Sequence, residues 1–122
     1  MTNVHRSVFL KELKEQYPEL ADKLNAQDSL FFREVAVFLE YVQEHIESED
    51  TESVRILLQR VDRYYCNGDK ALHELIRNGV CEDMRFEDTK KKNRAWALEF
   101  LSPVLTKERE SWIEKMGSWA RK

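Results

Sequence analysis

The chain has 122 residues, of which 42% are hydrophobic and 35% charged, with a formal net charge of −3 at pH 7. This composition excludes a disordered chain, and the length suffices for one domain with a core that needs no metal or disulfide. With only three Gly and two Pro, little of the sequence suits hairpins or long loops, so we predict a single helical domain over residues 1–122.

Apolar residues at alternating steps of three and four predict a helical face near the N-terminus: Leu10, Leu13, Tyr17, Leu20 and Leu24. Pro18 interrupts this face because it has no N–H to donate. We therefore predict two short helices that meet near residues 17–18, the second of which opens on the proline.

The next helix is predicted to extend to about Glu47, with Asp28 or Ser29 as its cap. Its apolar stripe consists of Phe31, Val35, Phe38, Val42 and Ile46, and is widened by Phe32, Ala36 and Leu39. A stripe this wide predicts contact with helices on two sides, which makes this the expected central helix.

A turn at residues 49–50 precedes a third predicted helix, with Thr51 as its cap and Val54, Leu57, Leu58, Val61 and Tyr65 directed inward. Gly68 is expected to end that helix in a left-handed conformation. Asp69 then begins a fourth helix, which either ends at Asn78–Gly79 or continues through Met84 with Gly79 at a close backbone approach.

A fifth helix is predicted over about 88–101, where Ser102–Pro103 breaks it, and Thr106 is expected to cap the last helix. Four apolar residues of that last helix share a face: Trp112, Ile113, Met116 and Trp119. Core packing is the expected role of the two tryptophans, and the alternative is that they are exposed as anchors of an interface. No useful segment alternates with period two, so the predicted class is all-α, as a compact antiparallel bundle or a short helical-hairpin stack of five to six helices.

Charge is concentrated in residues 28–52, which hold eight carboxylates and one arginine, a local net charge of −7. The two interpretations are an ordinary solvated surface and a docking surface for a basic partner, which would accelerate association and select against wrong partners. Under the second, the predicted partner-binding residues are Glu44, Glu47, Glu49, Asp50 and Glu52, with a second acidic stretch at Glu82, Asp83, Glu87 and Asp88.

The one basic run contains Lys90, Lys91, Lys92 and Arg94. It is short and belongs to an acidic chain, so nucleic-acid binding is not favoured. We expect the run to be the exposed start of the fifth helix. The alternative is that it pairs with residues 28–52, which we call the acidic block.

Motifs that carry chemistry are lacking in the sequence. His73–Glu74 would begin a zinc-protease helix, but position 77 is Arg rather than His. Glu40, Glu44 and Glu47 share a helix face, but acid–base chemistry also needs a pocket and a group from another element. We expect no metal, no cofactor and no enzymatic activity.

The cellular location is also predicted from the sequence. No run is long and apolar enough for a membrane span, and the charged N-terminus does not fit a signal peptide. Cys66 and Cys81 follow no pairing motif, so we expect reduced thiols in a cytoplasmic protein that does not contact a membrane.

The order of several segments resembles small all-helical bacterial proteins of toxin–immunity loci. These segments are FFREVAVFLEYV, SVRILLQRVDRYY, LHELIRNGVCEDM and FLSPVLTKERESWIEKM, within residues 30–119. The resemblance implies an immunity protein that blocks a cognate secreted toxin, such as those of contact-dependent growth inhibition; a basic nuclease domain is the expected target. The alternative is a helical adaptor or regulatory subunit that binds a partner helix in an apolar groove.

Overall fold

The computed structural model describes the backbone of residues 4–120 and the side chains of residues 4–117. The α-helices in that range are α1 (Arg6–Gln16), α2 (Ala21–Asn25), α3 (Phe31–Glu47), α4 (Thr51–Asn67), α5 (Lys70–Asn78) and α6 (Pro103–Ala120). Shorter elements are 3₁₀ helices at Pro18–Leu20 and Ala95–Phe100 and a π-helical turn at Gly79–Asp83. Over the described residues there is one isolated β-bridge, Val4 to Gly68, and no strand, which confirms the all-α class.

The break between the first two helices is where the sequence predicts it. α1 ends at Gln16, and Pro18 opens the 3₁₀ helix that continues into α2. Proline is suited to this first position because the N–H that it lacks would have no partner inside the helix.

The caps of α3 and α4 differ from the prediction. Asp28 and Ser29 have φ angles of 55° and 61°, so they form a left-handed turn before α3, and neither caps it. Asp50, rather than Thr51, caps α4, because its Oδ1 accepts the Ser53 N–H at 3.3 Å. Asp69, which the sequence predicts to begin the fourth helix, is the cap of α5, with its Oδ1 2.9 Å from the Leu72 nitrogen.

Gly68 ends α4, but not in the predicted left-handed conformation, since its φ is −68°. Its lack of a side chain permits close packing instead: a Cβ atom there would lie 2.3 Å from the Tyr64 carbonyl oxygen. At Gly79 the second alternative is correct only in part, because the chain continues as the π-helical turn but that turn ends at Asp83, before Met84. The atom that approaches Gly79 is the Leu39 side-chain Cδ1, 2.2 Å from a Cβ built there, rather than another backbone.

The predicted fifth helix is wrong over residues 88–94 and is replaced by an irregular segment. The Asp88 carboxylate accepts the backbone N–H groups of Arg94 and Ala95, and the Thr89 hydroxyl accepts those of Lys91 and Lys92. These side chains satisfy donors that a helix would otherwise pair with carbonyls, which explains why the helical pattern does not form there. Only Ala95–Phe100 is helical, as a 3₁₀ helix.

α6 begins at Pro103, so Thr106 is not its cap. The Ser102 hydroxyl accepts the Leu105 N–H and the Ser102 carbonyl accepts the Thr106 N–H. The apolar face of the last helix is only partly covered: Trp112 is half-buried, whereas Ile113 is 42% and Met116 48% exposed. The side chain of Trp119 lies outside the described residues.

The core is centred on α3 and α4, which contact each other and both contact α5. Phe9 of α1 packs edge-on against Phe31, Phe38 and Tyr64, at centroid distances of 5.7, 5.9 and 4.9 Å. Such pairs contribute about 0.5–1.5 kcal/mol each beyond the area that they bury. Glu34, a member of the acidic block, is buried and receives two 2.8 Å hydrogen bonds from Arg6, so it joins α1 to α3 and is not a surface charge.

Candidate functional site

The outer face of α3 forms one wall of an open cleft. Glu40, Gln43, Glu44 and Glu47 follow one another at steps of three and four and therefore share a face of the helix. With Ser48 and Lys92 they line an open cleft of about 570 Å³. Three carboxylates and one ammonium group thus face the same space.

The opposite wall is the irregular segment 84–94, here called the strap. Gln43 holds it as a neighbouring strand would: its Oε1 accepts the Arg85 N–H at 2.8 Å, and its Nε2 donates to the Arg85 carbonyl at 3.1 Å. Phe86 is buried, and the Arg109 guanidinium lies 5.0 Å from its ring centroid. The strap is therefore fixed to both α3 and α6.

A bidentate ion pair joins the far end of the strap to α3. Arg94 Nε and Nη2 lie 2.5 and 3.2 Å from the two carboxylate oxygens of Glu47, which also accepts Gln43 Nε2 at 2.9 Å. Lys92 Nζ is farther away, at 3.6 Å. The hydrogen bonds from Arg94 and Gln43 and the charges of Arg94 and Lys92 hold the pKa of Glu47 below its ordinary value. Two residues of the basic run, Lys92 and Arg94, therefore pair with the acidic block, which agrees with the alternative from sequence for these two.

Two acidic residues of the strap also have structural roles. The N–H groups of Ala95 and Arg94 donate to Asp88 at 2.9 and 2.8 Å, which lowers the pKa of that carboxyl. Burial alone would raise the pKa of Glu87, but its ion pair with Arg109 outweighs burial, so the net direction is downward.

A second cleft of about 300 Å³ continues from the first. It is lined by Ala36, Leu39, Glu40, Gln43, Asp83 and Met84. The two clefts share Glu40 and Gln43, and together they form what we call the acidic groove, apolar at the Ala36–Leu39–Met84 end and acidic at the Glu44 end. Its extent along α3, from residue 36 to residue 48, corresponds to about 18 Å of helix.

The predicted partner-binding residues separate into two sets. Those engaged within the protein are Glu47 with Arg94, Glu52 with Arg55, Glu87 with Arg109, Glu49 with the Asn93 amide, Asp50 as the cap of α4, and Asp88 with the backbone N–H groups of Arg94 and Ala95. Those without an ion pair or side-chain hydrogen bond to another described residue are Glu44, Glu82 and Asp83, all exposed. Glu44 and Asp83 line the acidic groove, whereas Glu82 lines a separate cleft with Trp112.

The predicted partner-binding set omits several groove residues, among them Glu40, Gln43 and Met84. The sequence does place Glu40 on one helix face with Glu44 and Glu47, so helical spacing alone could have added it to the set. Gln43 and Met84 carried no such signal, because their role depends on contacts between α3 and the strap.

The histidine and cysteine side chains, which could bind a metal or act as nucleophiles, show no arrangement typical of a reactive site. His45 Nδ1 lies 2.8 Å from the Tyr41 carbonyl oxygen, and His73 Nδ1 lies 2.6 Å from that of Tyr65. Both cysteines are free, and burial raises the pKa of each thiol. Among the described residues there is no group of three or more His, Cys, Asp or Glu placed to hold a metal ion, and no helix has the length and apolarity needed to cross a membrane.

Comparison with known proteins identifies a family. The profile of a domain of unknown function, DUF7674, matches residues 10–117, and the chain belongs to this family. That match spans α2 to α5, the strap and most of α6. No curated protein and no solved structure matches the chain.

Proposed function

We propose that this protein is a non-catalytic immunity protein of the cytoplasm that binds and neutralises a cognate secreted toxin, with a basic nuclease domain as the target. The observation that supports it is the acidic groove, where Glu40, Glu44 and Asp83 make no ion pair with another described residue. The identification of the partner as a toxin rests on the resemblance of the segments within residues 30–119. In this proposal a compact antiparallel bundle of helices serves as the rigid support for the groove.

The binding surface in this proposal is narrower than the acidic block. Glu47, Glu52 and Glu87 are neutralised by arginines of the same chain, so they add little net charge to the field that a partner meets. The charges that remain at the groove would accelerate capture of a basic partner and disfavour acidic ones. A specific complex buries about 1,600 Å² in total, so the groove would form the centre of a larger contact.

Charge reversal tests the proposal against the interpretation as a solvated surface. The variant Glu44→Lys with Asp83→Lys is compared with Glu15→Lys and Glu74→Lys, which make the same change in net charge at exposed positions outside the groove. The partner is the toxin domain encoded at the same locus, and association is followed by stopped-flow fluorescence at low and high salt.

We expect the groove variant to slow association at low salt by at least tenfold, with little effect of the control. The groove variant should also fail to rescue growth of cells that express the toxin domain. Equal association rates for the two variants, with both proteins folded by circular dichroism, would identify the groove as ordinary solvated surface.

The second candidate function is an adaptor that binds a partner helix. The observation in its favour is the exposure of Ile113 and Met116, which lie three residues apart on α6 and so share a face. Under this function, Ile113→Ser with Met116→Ser should weaken partner binding more than the groove variant does, and added salt should have little effect on affinity.

A further inference from the structure

Lys92 is the one basic side chain among the residues that line the acidic groove. Its ammonium nitrogen lies 3.6 Å from Glu47, beyond hydrogen-bond distance, and its side chain is 48% exposed. Arg94, in contrast, is 11% exposed at the side chain and hydrogen-bonds both oxygens of the same carboxylate. Glu47 would therefore keep Arg94 but lose Lys92 at little cost, since exposed ion pairs contribute weakly.

A cation that enters the groove would meet more negative charge there than Lys92 meets at Glu47 alone. Glu40 and Glu44 lie one helical turn apart on the same cleft wall and have no ion pair within the described part of the chain. Like charges at this spacing are mildly unfavourable to the helix, and a cation beside Glu44 relieves part of that repulsion. Leu39, at the apolar end of the groove, precedes the midpoint between Glu44 and Glu47 by about 10 Å along the axis of α3.

We infer that the acidic groove binds a segment of a partner protein through one Lys or Arg, which takes the place of Lys92 beside Glu44 and Glu47, and one apolar side chain packed on Leu39 and Met84. This inference rests on the proposed function and specifies the chemistry of the partner. A spacing of about 10 Å corresponds to seven residues of a helix or three of an extended strand. Lys92 is then an internal competitor that the partner displaces.

The test compares Lys92→Gln with Lys90→Gln in the full chain. Both remove one positive charge from the strap, but Lys90 does not line the groove, so it controls for the change in net charge. The probe is a fluorescein-labelled 14-residue helical peptide with leucine and lysine seven positions apart; a peptide of the same composition in shuffled order is the control. Affinity is measured by fluorescence anisotropy at 50 mM salt, and folding by thermal denaturation.

We expect Lys92→Gln to bind the spaced peptide about threefold more tightly than the wild type, from the energy typical of an exposed ion pair. Lys90→Gln should change affinity by less than about 1.5-fold, and Glu44→Gln should weaken binding severalfold. The spaced peptide should bind more tightly than the shuffled one to every variant.

The outcomes separate the inference from the function on which it rests. If Glu44→Gln weakens binding while Lys92→Gln and Lys90→Gln behave alike, displacement of Lys92 is refuted and the acidic docking surface stands. If the peptide binds no variant, or if Glu44→Gln has no effect on its affinity, the displacement of Lys92 and the acidic docking surface are both refuted. If spermidine displaces the peptide at equal concentration, the groove is a general polycation site and the inference of a protein segment is overturned.

Discussion

The ion pair between Arg94 and Glu47 makes a sharp prediction about stability, because it joins the strap to α3. The perturbation is Arg94→Met, which keeps much of the side-chain volume and removes the charge. Exposed ion pairs contribute about 0–1 kcal/mol, whereas loss of one partner from a buried pair costs about 3–5 kcal/mol. With side-chain exposures of 11% for Arg94 and 23% for Glu47, this pair lies between those limits.

We expect Arg94→Met to lower the free energy of unfolding by about 2 kcal/mol, since Gln43 still donates to Glu47 and Lys92 remains near it. The entropy of unfolding is about 2.1 cal/mol/K per residue, so the 122 residues give about 0.26 kcal/mol/K. The melting temperature should therefore fall by about 8 °C. Urea denaturation followed by circular dichroism gives the free energy, and calorimetry gives the melting temperature.

The matched control is Arg55→Met. Arg55 pairs with Glu52 within α4, and both side chains are well exposed, at 44% and 72%. We expect this variant to have nearly the same free energy of unfolding as the wild type, because an ion pair this exposed is screened by solvent. Equal losses for the two variants would refute the claim that the strap is held by a partly buried ion pair, and would leave Gln43 and Phe86 as the groups that position it.

Three further predictions concern acid sensitivity and packing. Hydrogen bonds from Arg63 and Arg94 respectively lower the pKa values of Glu12 and Glu47. The stability that these carboxylates contribute is therefore present above their ordinary pKa of about 4.3 and is lost as pH falls through the lowered folded values. Urea titrations between pH 7 and pH 2 should show this loss of stability, and the variant Glu12→Gln with Glu47→Gln should lose less. Gly68→Ala should cost about 1–3 kcal/mol, because its Cβ would meet the Tyr64 carbonyl, whereas Gly117→Ala, with open space around it, should be neutral or stabilising by up to about 1 kcal/mol in thermal melts. Phe9→Ala should cost about 3–5 kcal/mol, against less than about 1 kcal/mol for the half-exposed Phe32→Ala, by denaturant midpoint; similar losses would contradict the aromatic core.

Much of the fold could be predicted from the sequence because local rules govern it. The helical periods of α3 and α4, the break at Pro18 and the Asp69 cap depend on residues close together in the chain. The predicted helix over 88–101 is wrong over residues 88–94, and the reason is again local in the chain. Its Asp88 and Thr89 side chains bond backbone donors, which helical spacing alone does not reveal.

The candidate site could be predicted only in part. The concentration of carboxylates on α3 is visible in the sequence, and one of them, Glu44, lines a cleft in the structure. Glu47 and Glu87 were grouped with Glu44 because all three are acidic. In the structure Glu47 and Glu87, unlike Glu44, are each paired with an arginine far along the chain. Formal charge is countable from sequence, whereas net charge at a surface depends on which opposite charges fold against it.

By itself the sequence determined that this chain forms helices and which faces of most of them are apolar, since both follow from side chains three to four residues apart. Only the tertiary structure decided which acidic residues are neutralised by ion pairs within the described part of the chain. Glu47 meets Arg94 across 47 positions and Glu34 meets Arg6 across 28, and such pairs form only when packing of the core brings distant helices and the strap together. Ion pairing depends on separation in space, which local periodicity does not encode.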